Sequence, residues 1–219
     1  VLPGDPSGPD VWQALDDALS RSYESESGTS MHIACACIDS GGNHTQIVYD
    51  YCKTRAAQRI FAVKGVSGPG RPVVQISRGQ RSKARRRVDL YNVGVDDAKG
   101  IIYARLRNPD PGPGYCHFPT ARQPEYFSQL TAEKLVTKYQ RGFPRKEWVK
   151  TRARNEALDC RVYAYAAVKI LNPVWSAVAK RVNAVQPPKK DDAPKPIEKL
   201  TGRVSRPVRR RGGYATSWK

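Results

Sequence analysis

The sequence predicts an α/β protein built on a parallel core sheet, and three observations carry that expectation. Two short apolar runs, "MHIACACID" at 31–39 and "RIFAVKG" at 59–65, are bounded by Gly-containing turns, as buried strands are. Between them "QIVYDYCKTR" (46–55) reads as a helix, so the order strand–turn–helix–strand points to parallel strands joined by a crossover. Farther on, the chain from Ala157 to Leu171 is apolar except at Asp159, Arg161 and Lys169, the pattern of a helix buried on most sides.

Taken in order, Asp10 reads as the N-cap of a helix whose Val11, Leu15 and Leu19 recur at helical spacing through about Tyr23. "ESESGTS" (24–30) is a polar turn into the first strand, which ends at Asp39, and "SGGNHT" (40–45) turns the chain into the second helix. After the second strand comes a cationic excursion without an acid, "SRGQRSKARRR" (77–87), and then a third strand, "VDLYNV" (88–93). "VDDAKGIIYARL" (95–106) is a helix with acids in its first turn, and "NPDPGPG" (108–114) is a hard break. "YCHFP" (115–119) reads as a short strand, "PEYFSQLTAEKLV" (124–136) starts helical, and "TKYQRGFPRKEWVKTRA" (137–153) reads as a basic hairpin or loop. The apolar helix and an amphipathic stretch reaching Val185 complete a domain over 1–186. The Pro-, Lys-, Arg- and Gly-rich remainder, 187–219, has few residues able to fill a core and reads as a flexible tail.

Charge narrows the function. The 219 residues carry 38 Lys and Arg against 20 Asp and Glu, a formal +18 that self-repels unless it meets a polyanion. Nucleic acid is the partner such a balance points to. No apolar run reaches the ~18 residues of a membrane span, and no secretory signal is present. Cys35, Cys37, Cys52, Cys116 and Cys160 are odd in number and lack zinc-ligand spacing, which fits reduced thiols in a cytoplasmic compartment. His32, His44 and His117 follow no metal-binding pattern either.

The chemistry lies with three acids. Asp39 closes a strand just before a Gly-Gly turn, and the carboxyl ends of parallel strands are where such folds place their sites. Glu156 and Asp159 enter the apolar helix on the face shared with Tyr163, Ala167 and Ile170, opposite Arg161 and Lys169. Each acid has an ordinary alternative, Asp39 as a turn residue and the helix pair as first-turn acids favoured by the dipole. Brought together they would repel unless a divalent cation sat between them. Two such ions about 3.5–4 Å apart are a usual means of cutting a phosphodiester.

These residues also carry a resemblance. "CIDSGGNHTQIVYDYC", "FAVKG", "VGVDDAKGIIYARL", "GYCHFP", "YFSQLTAE" and "RNEALDCRVYAYAA" follow one another as in the C-terminal nuclease region of the large terminase subunit of lambda-type tailed phages, over about residues 30–171. The resemblance implies an RNase H-like fold, a mixed sheet flanked by helices. It implies a Mg²⁺- or Mn²⁺-dependent endonuclease that cuts concatemeric viral DNA during packaging in the host cell cytoplasm. Double-stranded DNA, the small terminase subunit and the capsid portal are the implied partners. Asp39 matches the family's Asp-[Ser/Thr]-Gly-Gly acid, Glu156 and Asp159 its Asn-Glu-Ala-Leu-Asp acids, and Lys99 a lysine after an acidic turn. Which of Glu156 and Asp159 ligates directly stays open. In that family a motor domain precedes the nuclease, and no GxxxxGK[ST] loop occurs in this chain. The family's first strand also carries an acid, so this chain is expected to begin after that strand and to be inactive alone.

Cationic side chains complete the expected site. Lys99 reads either as an exposed helix lysine or as a group neutralising phosphate beside the metals, and Lys64 is similar. Arg81, Lys83, Arg85, Arg86 and Arg87 in the excursion, and Arg145, Lys146 and Lys150 near Tyr139 and Trp148, are expected to meet DNA. Two rival functions share these features: a non-catalytic module that docks DNA or a portal, and another RNase H-like enzyme of the resolvase or transposase type.

Overall fold

The computed structural model describes residues 2–25, 27–77 and 89–184. Helix α1 (Pro9–Leu19) leads into a short antiparallel pair, β1 (Ser22–Glu24) and β2 (Ser30–His32). Next come β3 (Ala36–Asp39), α2 (Thr45–Thr54), a single 3₁₀ turn and β4 (Ile60–Val66). They are followed by β5 (Gln75–Ser77), β6 (Leu90–Gly94) and α3 (Val95–Leu106). Helix α4 (Pro124–Leu130), the hairpin β7 (Glu133–Gln140) and β8 (Phe143–Lys150), then α5 (Glu156–Leu171) and α6 (Trp175–Val182), complete the described elements.

The central sheet has the order β3-β4-β6-β5, with β3, β4 and β6 parallel and β5 antiparallel to β6. It is a mixed sheet flanked by helices. In-register parallel neighbours share a face, so Ile60 and Ala62 of β4, with Ala36 and Ile38 of β3, bury against α2 and α1. On that side Trp12 packs on Tyr51 with ring centroids 4.6 Å apart, and Asp16 pairs with Arg55 at 2.5 Å. The alternate residues, Cys37, Val63, Tyr91 and Val93, face the other way onto α3 and α5, where Ala98, Ile102, Leu158 and Val162 fill the main core.

The hairpin is anchored at its base. Trp148 packs on Tyr103 at 4.9 Å and donates its indole N–H to the Asp96 carbonyl at 3.1 Å. Toward the turn both strands stand clear in solvent, with Tyr139 and Phe143 about three-quarters exposed at 75% and 74%.

Several expectations are corrected. The first helix stops at Leu19, where the Ser20 hydroxyl donates to the Asp16 carbonyl at 2.8 Å, and Asp10 lies inside its first turn because Gly8 is the N-cap. The expected strand at 31–39 is divided: its start folds back onto β1 through a turn at Gly28, φ 75°, and only Ala36–Asp39 joins the main sheet. "YCHFP" forms no strand; its rings stack instead, Tyr115 on His117 at 4.8 Å and Phe118 on Phe127 at 5.2 Å. The segment after Pro124 is helical only to Leu130, and β7 takes over at Glu133. The segment 137–153 is a hairpin as expected, while the short strand β5 has no counterpart in the sequence reading. The tail assigned to 187–219 lies outside the described residues.

Candidate functional site

Pleat parity aims Asp39. It shares the parity of Cys37 and pairs in register with Val63, so its side chain leaves the carboxyl end of β3 on the α5 side. The strand end is held firmly. Ser40 is buried, and both its backbone N–H and its hydroxyl donate to the Val63 carbonyl, at 2.8 and 2.9 Å. The first Gly of the turn, Gly41, donates its N–H to Asp39 Oδ1 at 2.9 Å. Asp39 is itself exposed, open to solvent and ligands at the sheet edge.

From α5, Asp159 and Tyr163, one turn apart, project toward that edge. Burial pushes the Asp159 carboxyl above its ordinary value; Lys99 and Lys150 pull it back, and the charges of Glu133 and Asp39 raise it further. Burial likewise raises the Tyr163 hydroxyl, with the negative charges of Asp39 and Asp159 and a hydrogen bond to Asp39 adding to the shift. The next strand makes room for this ring. A Cβ at Gly65 would sit 3.0 Å from the Tyr163 hydroxyl and 3.1 Å from Val95 Cγ1, inside ordinary contact. Gly65 is therefore part of the site by virtue of what it lacks.

Beneath Asp159 lies a buried ionic chain. Lys99 is only 8% exposed and donates to both oxygens of the equally buried Glu133, at 2.9 and 2.8 Å. Glu133 Oε1 also accepts from Asn155 Nδ2 at 2.8 Å, and Asn155 Oδ1 accepts from Lys150 Nζ at 2.8 Å. Lys99 is thus not the exposed helix lysine that one reading expected; its ammonium is committed to a carboxylate. Sequence reasoning missed Glu133, Asn155 and Tyr163. Tyr163 was on the acids' helical face and Asn155 opens the Asn-Glu-Ala-Leu-Asp motif, so both carried a signal; Glu133 is identified only by its partners in space.

The expected residues are therefore partly assembled. Asp39, Lys99 and Lys150 each lie within electrostatic reach of Asp159, Lys150 being joined to the network through Asn155. Glu156 does not: its carboxylate pairs with Arg154 at 3.3 Å, and the two side chains are 60% and 61% exposed. Lys64 has the parity of Ile60 and Ala62, on the face covered by α1 and α2, and is exposed. Arg145 and Lys146 are exposed on β8, while Arg81, Lys83, Arg85, Arg86 and Arg87 lie outside the described residues. Among the described residues, no group of three or more His, Cys, Asp or Glu side chains is arranged to hold a metal ion. Two neighbouring carboxylates, one exposed, suit a single hard divalent cation whose other ligands are water or phosphate oxygens. A pair of ions would need further donors. A cavity of about 710 Å³ opens between α1 and the amino ends of β3 and β4, away from Asp39 and Asp159.

Comparison with known proteins agrees with the motif order. Residues 1–179 match the family described as the terminase large subunit gpA endonuclease domain. The terminase large subunit of Enterobacteria phage P21 is 38% identical over 186 residues, 80% of this chain and 28% of that protein. That of Escherichia phage lambda is 36% identical over 170 residues, 74% of this chain and 26% of its own length. The chain thus spans less than a third of these relatives, and no solved structure matches it. With the family match running through β3, α3 and α5, the elements that carry Asp39, Lys99 and Asp159, the chain belongs to the terminase large subunit gpA endonuclease-domain family.

Proposed function

We propose that this chain is a metal-dependent endonuclease module of RNase H-like type that cuts double-stranded DNA during phage genome packaging. The observation that carries the proposal is the Asp39–Asp159 pair at the carboxyl edge of the parallel strands, each acid within electrostatic reach of the other. Two like charges beside a buried surface are unfavourable unless a cation joins them. Asp39 and Asp159 would hold Mg²⁺ or Mn²⁺ through carboxylate oxygens. Such an ion, when bound, polarises phosphate oxygens and lowers the pKa of bound water.

The chain's own groups then have distinct tasks. Gly41 holds Asp39 Oδ1, so Asp39 is oriented before substrate arrives, and the Tyr163 hydroxyl lies within electrostatic reach of the same carboxylate. Lys99 and Lys150 place positive charge beside Asp159 and favour its ionised, ligating form. Lys134, Lys138 and Arg145 share one face of the exposed hairpin, Lys138 paired with Glu147 at 2.9 Å, and offer that face to backbone phosphates, while Lys146 stands on the other. The small terminase subunit and the capsid portal are the proposed packaging partners, and the host cell cytoplasm the proposed site of action. Among the described residues no helix is long and apolar enough to cross a membrane.

Plasmid nicking by the full-length protein tests this reading. Activity should require Mg²⁺ or Mn²⁺ and vanish in Asp39→Ala and in Asp159→Ala. Cleavage that persists in both variants, or a folded protein that binds DNA without ever cutting it, would favour a docking module instead.

A further inference from the structure

A buried lysine is a poor means of holding a helix in place. On the same face of α3, Ala98 and Ile102 pack with no polar group to satisfy, and a buried ion pair often adds little over apolar residues of like volume. Lys99 and Glu133 therefore call for a reason other than packing. Their connections supply one. Glu133 grips the Lys99 ammonium with both oxygens and the Asn155 amide with one of them. Asn155 is the residue before α5, and its backbone carbonyl accepts the N–H of Leu158 at 2.9 Å and of Asp159 at 3.2 Å. Lys150 closes the chain from β8. The backbone of Asp159 is thus tied, through Asn155, to a carboxylate on another strand.

We propose that Glu133 is a positioning residue for the acid site: by holding Lys99 and Asn155 together it fixes the first turn of α5 and the direction from which Asp159 meets Asp39. The inference rests on the metal-site reading above. Glu133 touches no ligand in this scheme; it acts through Asn155 on the backbone and through Lys99 on the charge beside Asp159. Partners of this kind, one step removed from a metal ligand, typically alter metal affinity by about 10–100-fold.

The test uses the full-length protein and reads Mn²⁺ affinity by titration calorimetry beside the melting temperature. The parent minus Asp39→Ala defines the binding that belongs to this site. Glu133→Gln keeps the shape but loses one acceptor, and the paired replacement Lys99→Met with Glu133→Leu removes the whole ion pair while keeping volume. Both should weaken the Asp39-dependent Mn²⁺ binding by about 10–100-fold, with the paired variant still folded and melting cooperatively. A folded paired variant that binds Mn²⁺ like the parent would overturn the proposal, because the network would then serve stability alone. Failure of the paired variant to fold would overturn it as well, by assigning the network to folding. If Asp39→Ala itself leaves Mn²⁺ binding intact, the metal-site reading fails first, and that outcome is separable from the others.

Discussion

Gly65→Ala isolates the packing that aims the site. The added methyl carbon would lie 3.0 Å from the Tyr163 hydroxyl and 3.1 Å from Val95 Cγ1. Carbon contacts are comfortable at about 3.5–4.0 Å, so each neighbour must retreat by several tenths of an ångström. Val95 opens α3 directly after β6, and Tyr163 packs against the core from α5, so each can retreat only by giving up packing. Overpacking of this kind costs about 1–3 kcal/mol. At about 2–4 °C per kcal/mol for a domain of this size, the melting temperature should fall by roughly 2–12 °C. Tyr163→Phe deletes one of the two clashing atoms, so the double variant should recover at least about 0.5 kcal/mol relative to additivity, the size expected for residues in contact. Calorimetric melting of the four proteins in the cycle, in chelator, gives both quantities. A Gly65→Ala protein as stable as the parent, or strictly additive melting, would refute the packing argument.

The remaining predictions concern charge. Asp159 has its folded-state carboxyl raised, chiefly by burial, so its contribution to stability is present below the ordinary carboxylate range and is lost as pH rises through the folded value. Asp159→Asn should therefore raise the melting temperature of the chelated protein at about pH 7, where a free Asp is ionised, and change it little at about pH 3; a lower melting temperature at neutral pH would contradict the sign. On the hairpin, Lys134→Ala with Arg145→Ala, which share one face, should flatten the slope of log affinity for DNA against log salt by about 2, at roughly 0.9 per phosphate contact, and an unchanged slope in filter binding would assign those side chains to solvent.

Asp39 and Asp159 were legible because local signals placed them. An apolar run ending in Asp before Gly-Gly marks a strand end, and the 3.6-residue period puts Asp159 on the buried face of its helix. Glu133 was illegible for the opposite reason. "PEYFSQLTAEKLV" starts with helical periodicity, and nothing local announces that α4 ends at Leu130, nor that Glu133 meets a lysine 34 positions earlier. The ionic role of Lys99 was hidden by the same nonlocal pairing. The strand at 31–39 was drawn too long because its apolar content is continuous. The division follows from β1, whose Ser22–Glu24 claims Ser30–His32 as partners; Ile33, Ala34 and Cys35 then lead into the four residues that join the sheet. "YCHFP" has strand-like composition, but aromatic stacking satisfies its rings without a ladder.

Glu156 and Asp159 separate two effects that the sequence superposes. Both stand in the first turn of α5, where the helix dipole favours a negative charge. Glu156 takes that benefit at the surface, with Arg154 as partner in solvent, an exposed pair of small energetic consequence. Asp159, three residues on, has turned toward β3 and is partly buried beside another acid, where burial and Asp39 both oppose its charge. Of the two, Asp159 is the one whose surroundings oppose its charge, Glu133 adding to burial and Asp39, and the compensating charge comes from two other elements, Lys99 on α3 and Lys150 on β8. In the proposed metal site Asp159 is the ligand, and Glu156 has no role beyond its place in the helix dipole. Exchange of the two roles makes the distinction measurable. Glu156→Gln should leave Mn²⁺ affinity within about twofold, because only an exposed pair is lost, whereas Asp159→Asn should abolish the Asp39-dependent binding. Equal loss in both would return the assignment to a shared two-acid helix site.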